Sequence, residues 1–353
     1  MSQIRLLQYG VGAMGSLMVQ HLADKPNVEF VAAVDTDTAK IGQDLGIVAG
    51  LERLLGVRII SPDCLPDMAP GCIALHATTA FAKNAYPILA SLLERRISVV
   101  TIAQELFFPV AENVSIGANL DRIAKMYDAR LTAVGINPGF ILDVLPSVCS
   151  VACREIKAFY GRRVVDFSPY GPDEMHHIGV GLTADEFDLG AKEGTIGHIG
   201  LLETAAMVNH CLGLEIERFH QIKTPLTSSR ARQTAFAFAE IGAVYGFRQS
   251  VFGYRSNAEK LCLEMIAAID PDEAIEGLRF GDYFRITGQP NIDVEIREQI
   301  STLGGVSTAA VAVNAIPALL EAPPGFHPIF TLRQPHKWTF SDHLISRAPL
   351  TED

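Results

Sequence analysis

The chain has 353 residues, 48% of them hydrophobic and 20% charged, which is an ordinary globular balance and enough length for two domains or one domain with a large insertion. A net charge of −11 argues against nucleic acid or an anionic membrane as partner, because both reward clustered lysine and arginine. The opening MSQIRLLQYG has no charged segment followed by an apolar one, and no apolar run reaches the roughly 18 residues of a membrane span. The six cysteines (64, 72, 149, 153, 211, 262) are scattered without a CxxC pair, so a cytoplasmic protein with no metal centre is expected.

IRLLQY (4–9) is a short apolar run, and AMGSLMVQHLADK (13–25) carries apolar residues at helical spacing. FVAAVD (30–35) and CIALHAT (72–78) read as strands, AKNAYPILASLLERR (82–96) as a helix, and SVVTIA (98–103) and RLTAVG (130–135) as further strands. Strands apolar on both faces and separated by helices predict a doubly wound parallel α/β sheet of Rossmann type over residues 1–150. From about residue 153 the pattern changes. REIKAFYGRRVVDFS, TAFAFAEIGAVYGFRQSVFGYR (234–255), KLCLEMIAAID and NIDVEIRE alternate and are rich in aromatic and β-branched residues, which predicts an inserted α+β substrate and dimerisation domain, with antiparallel strands, over 151–304. GVSTAAVAVNAIPALLEA (305–322) returns to a small-residue helix, and 305–353 is expected to pack back on the first domain.

YGVGAMGS sets Gly10, Gly12 and Gly15 in G-x-G-x-x-G spacing between the first strand and the first helix. The three glycines serve a tight turn, close approach of the backbone to a pyrophosphate, and helix–strand packing, while free amides at the helix start hold the phosphates. Gly10, Val11, Gly12, Ala13, Met14 and Gly15 are therefore expected at a dinucleotide. Asp35 ends the second strand, 20 residues past Gly15, where a carboxylate accepts from ribose hydroxyls. It would also repel a 2′-phosphate, and the nearest base is Lys40, so NAD is favoured, with NADP as a second cofactor.

Ligands of doubly wound sheets bind outside the carboxyl ends of the strands. Thr78 and Thr79, Glu105, and the INPGF turn with Asn137 all fall at such ends and are expected around the nicotinamide. Each has a plainer reading: helix caps for the threonines, a tight turn for Asn137-Pro138-Gly139, and a helix-start acid for Glu105. An ionised Glu105 beside two phenylalanines nonetheless invites a cationic partner.

GVGAMG, the strand ending in Asp35, QELFFP, GINPGFILD (135–143), GHIGLLET (197–204) and VAVNAIPALLEAPPG (311–325) together resemble 2,4-diaminopentanoate dehydrogenase and the related native amine dehydrogenases over nearly the whole chain. The resemblance implies a fold similar to dihydrodipicolinate reductase, a homodimer, and interconversion of a primary amine with a ketone or aldehyde plus ammonia using NAD(P). It also implies Glu105 as the catalytic residue, taking the amine's proton and stabilising an iminium cation. Closeness to these motifs makes Phe108, Phe140, Phe167, Tyr170, His177, His198 and Thr308 candidates for the substrate pocket. No arginine pair suited to a substrate carboxylate stands out.

Two other readings compete. His176-His177 is similar to the His-His pair of dihydrodipicolinate reductases, yet the lysine and Ser-Gly-Thr stretch that follow it there are missing. A catalytically idle NAD-binding regulator predicts cofactor binding without turnover.

Overall fold

The structure, a computed structural model, describes residues 3–111, 113–297, 305–333 and 337–338. Its first half alternates strand and helix: β1 (Ile4–Tyr9), α1 (Ala13–Leu22), β2 (Val28–Val34), α2 (Leu45–Val48), β3 (Ile59–Ile60), β4 (Ile73–His76), α3 (Ala82–Glu94), β5 (Ser98–Thr101), α4 (Asn113–Met126), β6 (Arg130–Ala133) and α5 (Val144–Ser150). The second half runs β7 (Glu155–Asp166), α6 (Pro172–His177), α7 (Ala184–Glu193), α8 (Leu201–Leu212), β8 (Arg218–Thr227), β9 (Arg232–Gln233), β10 (Phe238–Ala239), β11 (Val244–Arg255), β12 (Ala258–Ala268), α9 (Glu273–Glu276), β13 (Gly281–Gln289) and β14 (Ile292–Ile296). The chain then returns through α10 (Val306–Glu321) and β15 (Gly325–Phe326).

The first sheet is parallel throughout, with strand order β15-β6-β5-β4-β1-β2-β3. The order reverses between β1 and β4, and that is where a doubly wound sheet opens a crevice for its ligand. Both faces are covered. Met18, Val19 and Leu22 of α1 share one core with Ala312, Val313 and Ile316 of α10, while Leu89, Leu92 and Leu93 of α3 and Leu120 and Ile123 of α4 fill the other. Returning after the second sheet, α10 lies against α1, and Trp338 donates its amide to Asn314 Oδ1 at 2.9 Å. The tail 339–353 lies outside the described residues.

The second sheet has order β14-β13-β7-β12-β11-β8. It is mixed where antiparallel strands were expected: β7 and β12 pair in parallel, because the chain crosses from one to the other through α6–α8 and the β8–β11 ladder. The 234–255 segment is also not one strand. The Thr234 hydroxyl accepts from the amides of Phe236 and Ala237, and Gly242 at φ 86° turns the chain into β11, so only Val244–Arg255 joins the sheet. Phe159, Phe247, Leu261 and Leu263 of this sheet bury against Leu201, Ala205 and Val208 of α8.

Candidate active site

Gly10 sits at φ 91°, and a Cβ there would lie 2.6 Å from the carbonyl oxygen of Ala77. At Gly15 a Cβ would fall 2.0 Å from the Gly10 carbonyl oxygen, so the helix can lie against the loop only if this residue has no side chain. Gly12, the N-cap of α1, faces open space, and no side chain caps the helix start. Asp35 Oδ2 accepts from the Val11 amide at 2.7 Å and Oδ1 from the Asp37 amide at 2.9 Å. Burial pushes this carboxyl up, but the two amides and Lys40, 3.6 Å away, outweigh it and hold it below its ordinary value. An uncapped helix N-terminus behind a glycine turn, with an ionised acid at the end of the next strand, fits a dinucleotide.

Two cavities of about 410 and 450 Å³ open where the strand ends of the first sheet face the second sheet. Their common wall takes Met14, Ile102 and Gln104 from the parallel-sheet half, and Phe167, Glu174, His198 and Met265 from the rest of the chain. They form one cleft. Thr78, Thr79 and His177 line its first part; Ala13, Asn137, Tyr170 and Thr308 line its second. Phe167 and Tyr170 stack at 4.5 Å between centroids.

Asn137 is buried, its Nδ2 is 3.3 Å from His198 Nε2, and its Oδ1 has no hydrogen-bond partner among the described residues. A buried amide oxygen without a donor at a cleft wall suits a ligand N–H. Only Gly139, at φ 133°, permits the turn that carries it, since a Cβ there would lie 2.3 Å from the Gly135 backbone. Gln249 fixes the His198 backbone from both sides, accepting from its amide at 2.8 Å and donating to its carbonyl at 2.9 Å. Burial, helped by Arg163 and Lys223, pushes the His198 imidazole down to about 4, so it is neutral at physiological pH.

Glu105 stands in the turn after β5, hydrogen-bonded to the start of α3. It lines neither part of the cleft; its Oε2 accepts from the Ala82 amide at 2.8 Å, at the first turn of α3. Gln104–Leu106 form one turn of 3₁₀ helix, in which successive side chains point about 120° apart. Gln104 thus faces the cleft, Leu106 the core, and Glu105 the start of α3. Phe108 also turns away, into an aromatic group with His210 and Phe330, and Phe140 packs on the core under the second sheet. Of the glycine loop only Ala13 and Met14 reach the cleft.

Several residues the sequence did not single out matter here. His76, fully buried, has Nε2 2.7 Å from Thr78 Oγ1 and Nδ1 2.8 Å from Thr101 Oγ1, so it orients the Thr78 hydroxyl from behind. Burial lowers it to about 4 and keeps it neutral. Asp143 accepts from the amides of Gly139 and Val144 and the Thr204 hydroxyl, tying the Asn137 turn to α8. Glu203 on α8 is 6% exposed; burial first, and then the charge of Glu105, push its carboxyl up to about 7 against the opposing hydrogen bond from its own backbone amide. A histidine in an apolar strand and an acid on an apolar helix face were the available signals.

Fold and cleft together define an NAD(P)-dependent oxidoreductase of Rossmann type. The family model for the 2,4-diaminopentanoate dehydrogenase C-terminal domain matches residues 140–345. The chain is 30% identical over 348 residues to 2,4-diaminopentanoate dehydrogenase of Acetoanaerobium sticklandii, covering 95% of each. It is 25% identical to an amine dehydrogenase of Streptomyces virginiae over 92% of this chain and 94% of that one. The solved amine dehydrogenase of Mycobacterium smegmatis superposes with a TM-score of 0.81 at 25% identity, covering 95% of this chain and 97% of that one. The chain belongs to the 2,4-diaminopentanoate dehydrogenase family.

Proposed function

We propose that this protein interconverts a primary amine and a ketone or aldehyde plus ammonia, with NAD(P) as hydride carrier. The observation that carries the reading, beside family membership, is the single cleft in which the dinucleotide edge of the first sheet meets a wall of Phe167, Tyr170, Glu174 and His198. Bound NAD(P)⁺ supplies the hydride acceptor. The chain's residues do the rest. The amides at the start of α1 and the turn from Gly10 to Gly15 suit the pyrophosphate, Asp35 the adenosine ribose, and Thr78, Thr79 and Asn137 the nicotinamide end. Aromatic and thioether side chains of the cleft exclude water from the reacting carbon, and the amine must arrive as the free base, because an ammonium has no lone pair to assist hydride loss.

No helix among the described residues is long and apolar enough to cross a membrane. All six cysteines stand as free thiols, which suits a reducing cytoplasm. We further read the chain as a homodimer built through its second sheet.

The test is a spectrophotometric screen at alkaline pH, following NAD⁺ and NADP⁺ reduction with 2,4-diaminopentanoate, short alkyl amines, amino alcohols and amino acids. Turnover of an amine, with ketone and ammonia as products, supports the reading. Tight NADH binding with no turnover across the panel leaves the idle regulator in its place.

A further inference from the structure

His76 ends β4 with no exposed surface, and each of its ring nitrogens meets a threonine hydroxyl. Nδ1 lies 2.8 Å from Oγ1 of Thr101, its register partner on β5. Nε2 lies 2.7 Å from Oγ1 of Thr78, which lines the cleft. Burial keeps the imidazole neutral, so the ring carries one N–H, and its location decides which way both hydroxyls point.

Thr101 decides between the two tautomers. Its Oγ1 accepts from the Ala103 amide at 3.1 Å, and among the described residues its hydroxyl makes no other hydrogen bond than the one to His76. With the proton on Nδ1, the Thr101 oxygen would accept twice and its own buried proton would face no acceptor, a costly state. With the proton on Nε2, Thr101 donates to Nδ1 and both groups are satisfied. Nε2 then donates to Thr78 Oγ1, which makes no other hydrogen bond among the described residues, and the Thr78 proton is left for whatever fills the cavity. The threonine is held from its other side too: a Cβ on Gly10 would lie 2.9 Å from Thr78 Cγ2, so the methyl lies over the glycine turn. Because the row of bonds ends at a backbone amide, it aims a hydroxyl and does not conduct a proton.

We propose that His76 is a positioning residue of the cofactor site: with its proton on Nε2, it makes the Thr78 hydroxyl a hydrogen-bond donor to an acceptor atom of the bound dinucleotide. The proposal rests on the reading above that the sheet edge carrying Gly10 and Thr78 holds NAD(P). It separates the two threonines of the loop. Thr79 Oγ1 already accepts from the Phe81 amide at 3.2 Å and serves the turn into α3, whereas the Thr78 hydroxyl is aimed by the sheet behind it. It also accounts for an imidazole at the end of the apolar strand Ile73–His76, where a phenylalanine would fill the space but direct neither hydroxyl.

The first test needs no ligand. Long-range proton–nitrogen NMR on histidine-labelled protein, with His76→Phe to assign the signal, identifies the protonated ring nitrogen. Nε2–H is expected, unchanged from pH 8 to pH 5; Nδ1–H, or a ring that charges within that range, overturns the proposal. The second test is fluorescence titration with NADH. Thr78→Val keeps the shape without the hydroxyl and should raise Kd about tenfold, the scale of one hydrogen bond, and Thr78→Ser should recover most of the loss. His76→Phe, which lets that hydroxyl turn freely, should raise Kd about fivefold. Because His76 acts through Thr78, the double variant should stay within about twofold of Thr78→Val alone, whereas a histidine that only supports the fold would multiply the two losses to about fiftyfold, which overturns the proposal. Thermal melts on the same preparations show that each variant is folded. Should His76→Phe not fold, the ring signal that moves in Thr78→Val identifies His76, and the tautomer and the Thr78 variants decide. A folded Thr78→Val within about twofold of the parent overturns the proposal and leaves the dinucleotide reading intact. A parent that binds neither NADH nor NADPH overturns both.

Discussion

The Glu105 carboxylate accepts a hydrogen bond from the Ala82 amide at 2.8 Å, and through it the loop after β5 is fastened to the first turn of α3. The Glu105 amide adds a second tie, donating to the Ala80 carbonyl at 3.1 Å. An anion at a helix start satisfies one of the amides that the helix itself leaves unpaired and faces the positive end of its dipole. Glu105→Ala is therefore expected to lower stability by about 1 kcal/mol, a drop of roughly 2 °C in Tm for a chain of this size, with NADH affinity unchanged. Thermal melts followed by circular dichroism, with NADH fluorescence titrations on the same samples, measure both. An unchanged melting temperature would show that the contact contributes nothing.

The same carboxylate has a neighbour. Glu203 is 6% exposed and its carboxyl is pushed from 4.5 up to about 7, first by burial and then by Glu105. Between those two values the folded protein keeps a proton that the unfolded chain has released. The folded state then binds more protons than the unfolded state, so stability falls as pH rises through this window and the contribution is gone above about pH 7. At 1.36 kcal/mol per pKa unit the change amounts to about 3 kcal/mol at most. Glu203→Gln removes the titrating group, and its stability relative to the parent should climb by up to that amount from pH 5 to pH 8. Urea unfolding of the two proteins at four pH values gives the difference directly; parallel pH curves would mean that Glu203 ionises in the fold at no cost.

Cofactor choice should depend on two side chains rather than one. Asp35 stands at the end of β2, where a carboxylate meets the adenosine ribose, but Lys40 lies 3.6 Å from it. A bound NAD(H) gains from the carboxylate, whereas a 2′-phosphate is repelled by Asp35 and attracted by Lys40. The parent should prefer NADH without excluding NADPH. Asp35→Ala should narrow the preference by about tenfold, equivalent to roughly 1.4 kcal/mol, and Lys40→Ala should widen it. Fluorescence titration of the parent and both variants with NADH and NADPH is the measurement. Stronger binding of NADPH than NADH by the unaltered protein would remove the Asp35 assignment.

The sheet that carries the cofactor edge was legible because its strands are apolar on both faces and its helices lie between them; β1, β4 and β5 fall within the runs read from the sequence. The glycine spacing fixed the switch point for the same reason: Gly10 and Gly15 each meet backbone that a side chain would strike. What the sequence could not convey was direction within a turn. Gln104 and Glu105 are adjacent, and only the 3₁₀ geometry decides which of them faces the cleft. Residues brought in from far along the chain were equally hidden. Glu174 reaches the junction from a short helix with no period that marks it, whereas His198, on a glycine-flanked loop, was marked by the motif around it. Phe108 and Phe140 pack among aromatic and core side chains, since an aromatic residue beside a motif is as well suited to a core as to a pocket.

Assembly gives the last prediction. Among the described residues, Ile222 on β8 is 44% exposed, and Phe236, Phe238 and Ile241, in the segment between β9 and β11 that contains β10, are 52%, 47% and 74% exposed. Isolated exposed side chains need no explanation, but three large ones within six positions beside a sheet edge are a cost in water that a partner can remove. Among the described residues β8 is an edge strand of the sheet, the position at which a strand of a neighbour can add. A second copy laid against this region is expected to bury total surface in or above the ~1,600 Å² class typical of stable interfaces. Light scattering at micromolar concentration should give twice the 38.2 kDa mass of one chain. The double variant Phe238→Asp, Ile241→Asp should shift the species toward one chain and lower the melting temperature, with its dependence on protein concentration fading as the dimer is lost. A parent that scatters as a single chain rules out the dimer. A double variant that remains fully dimeric moves the interface to another face of the second sheet.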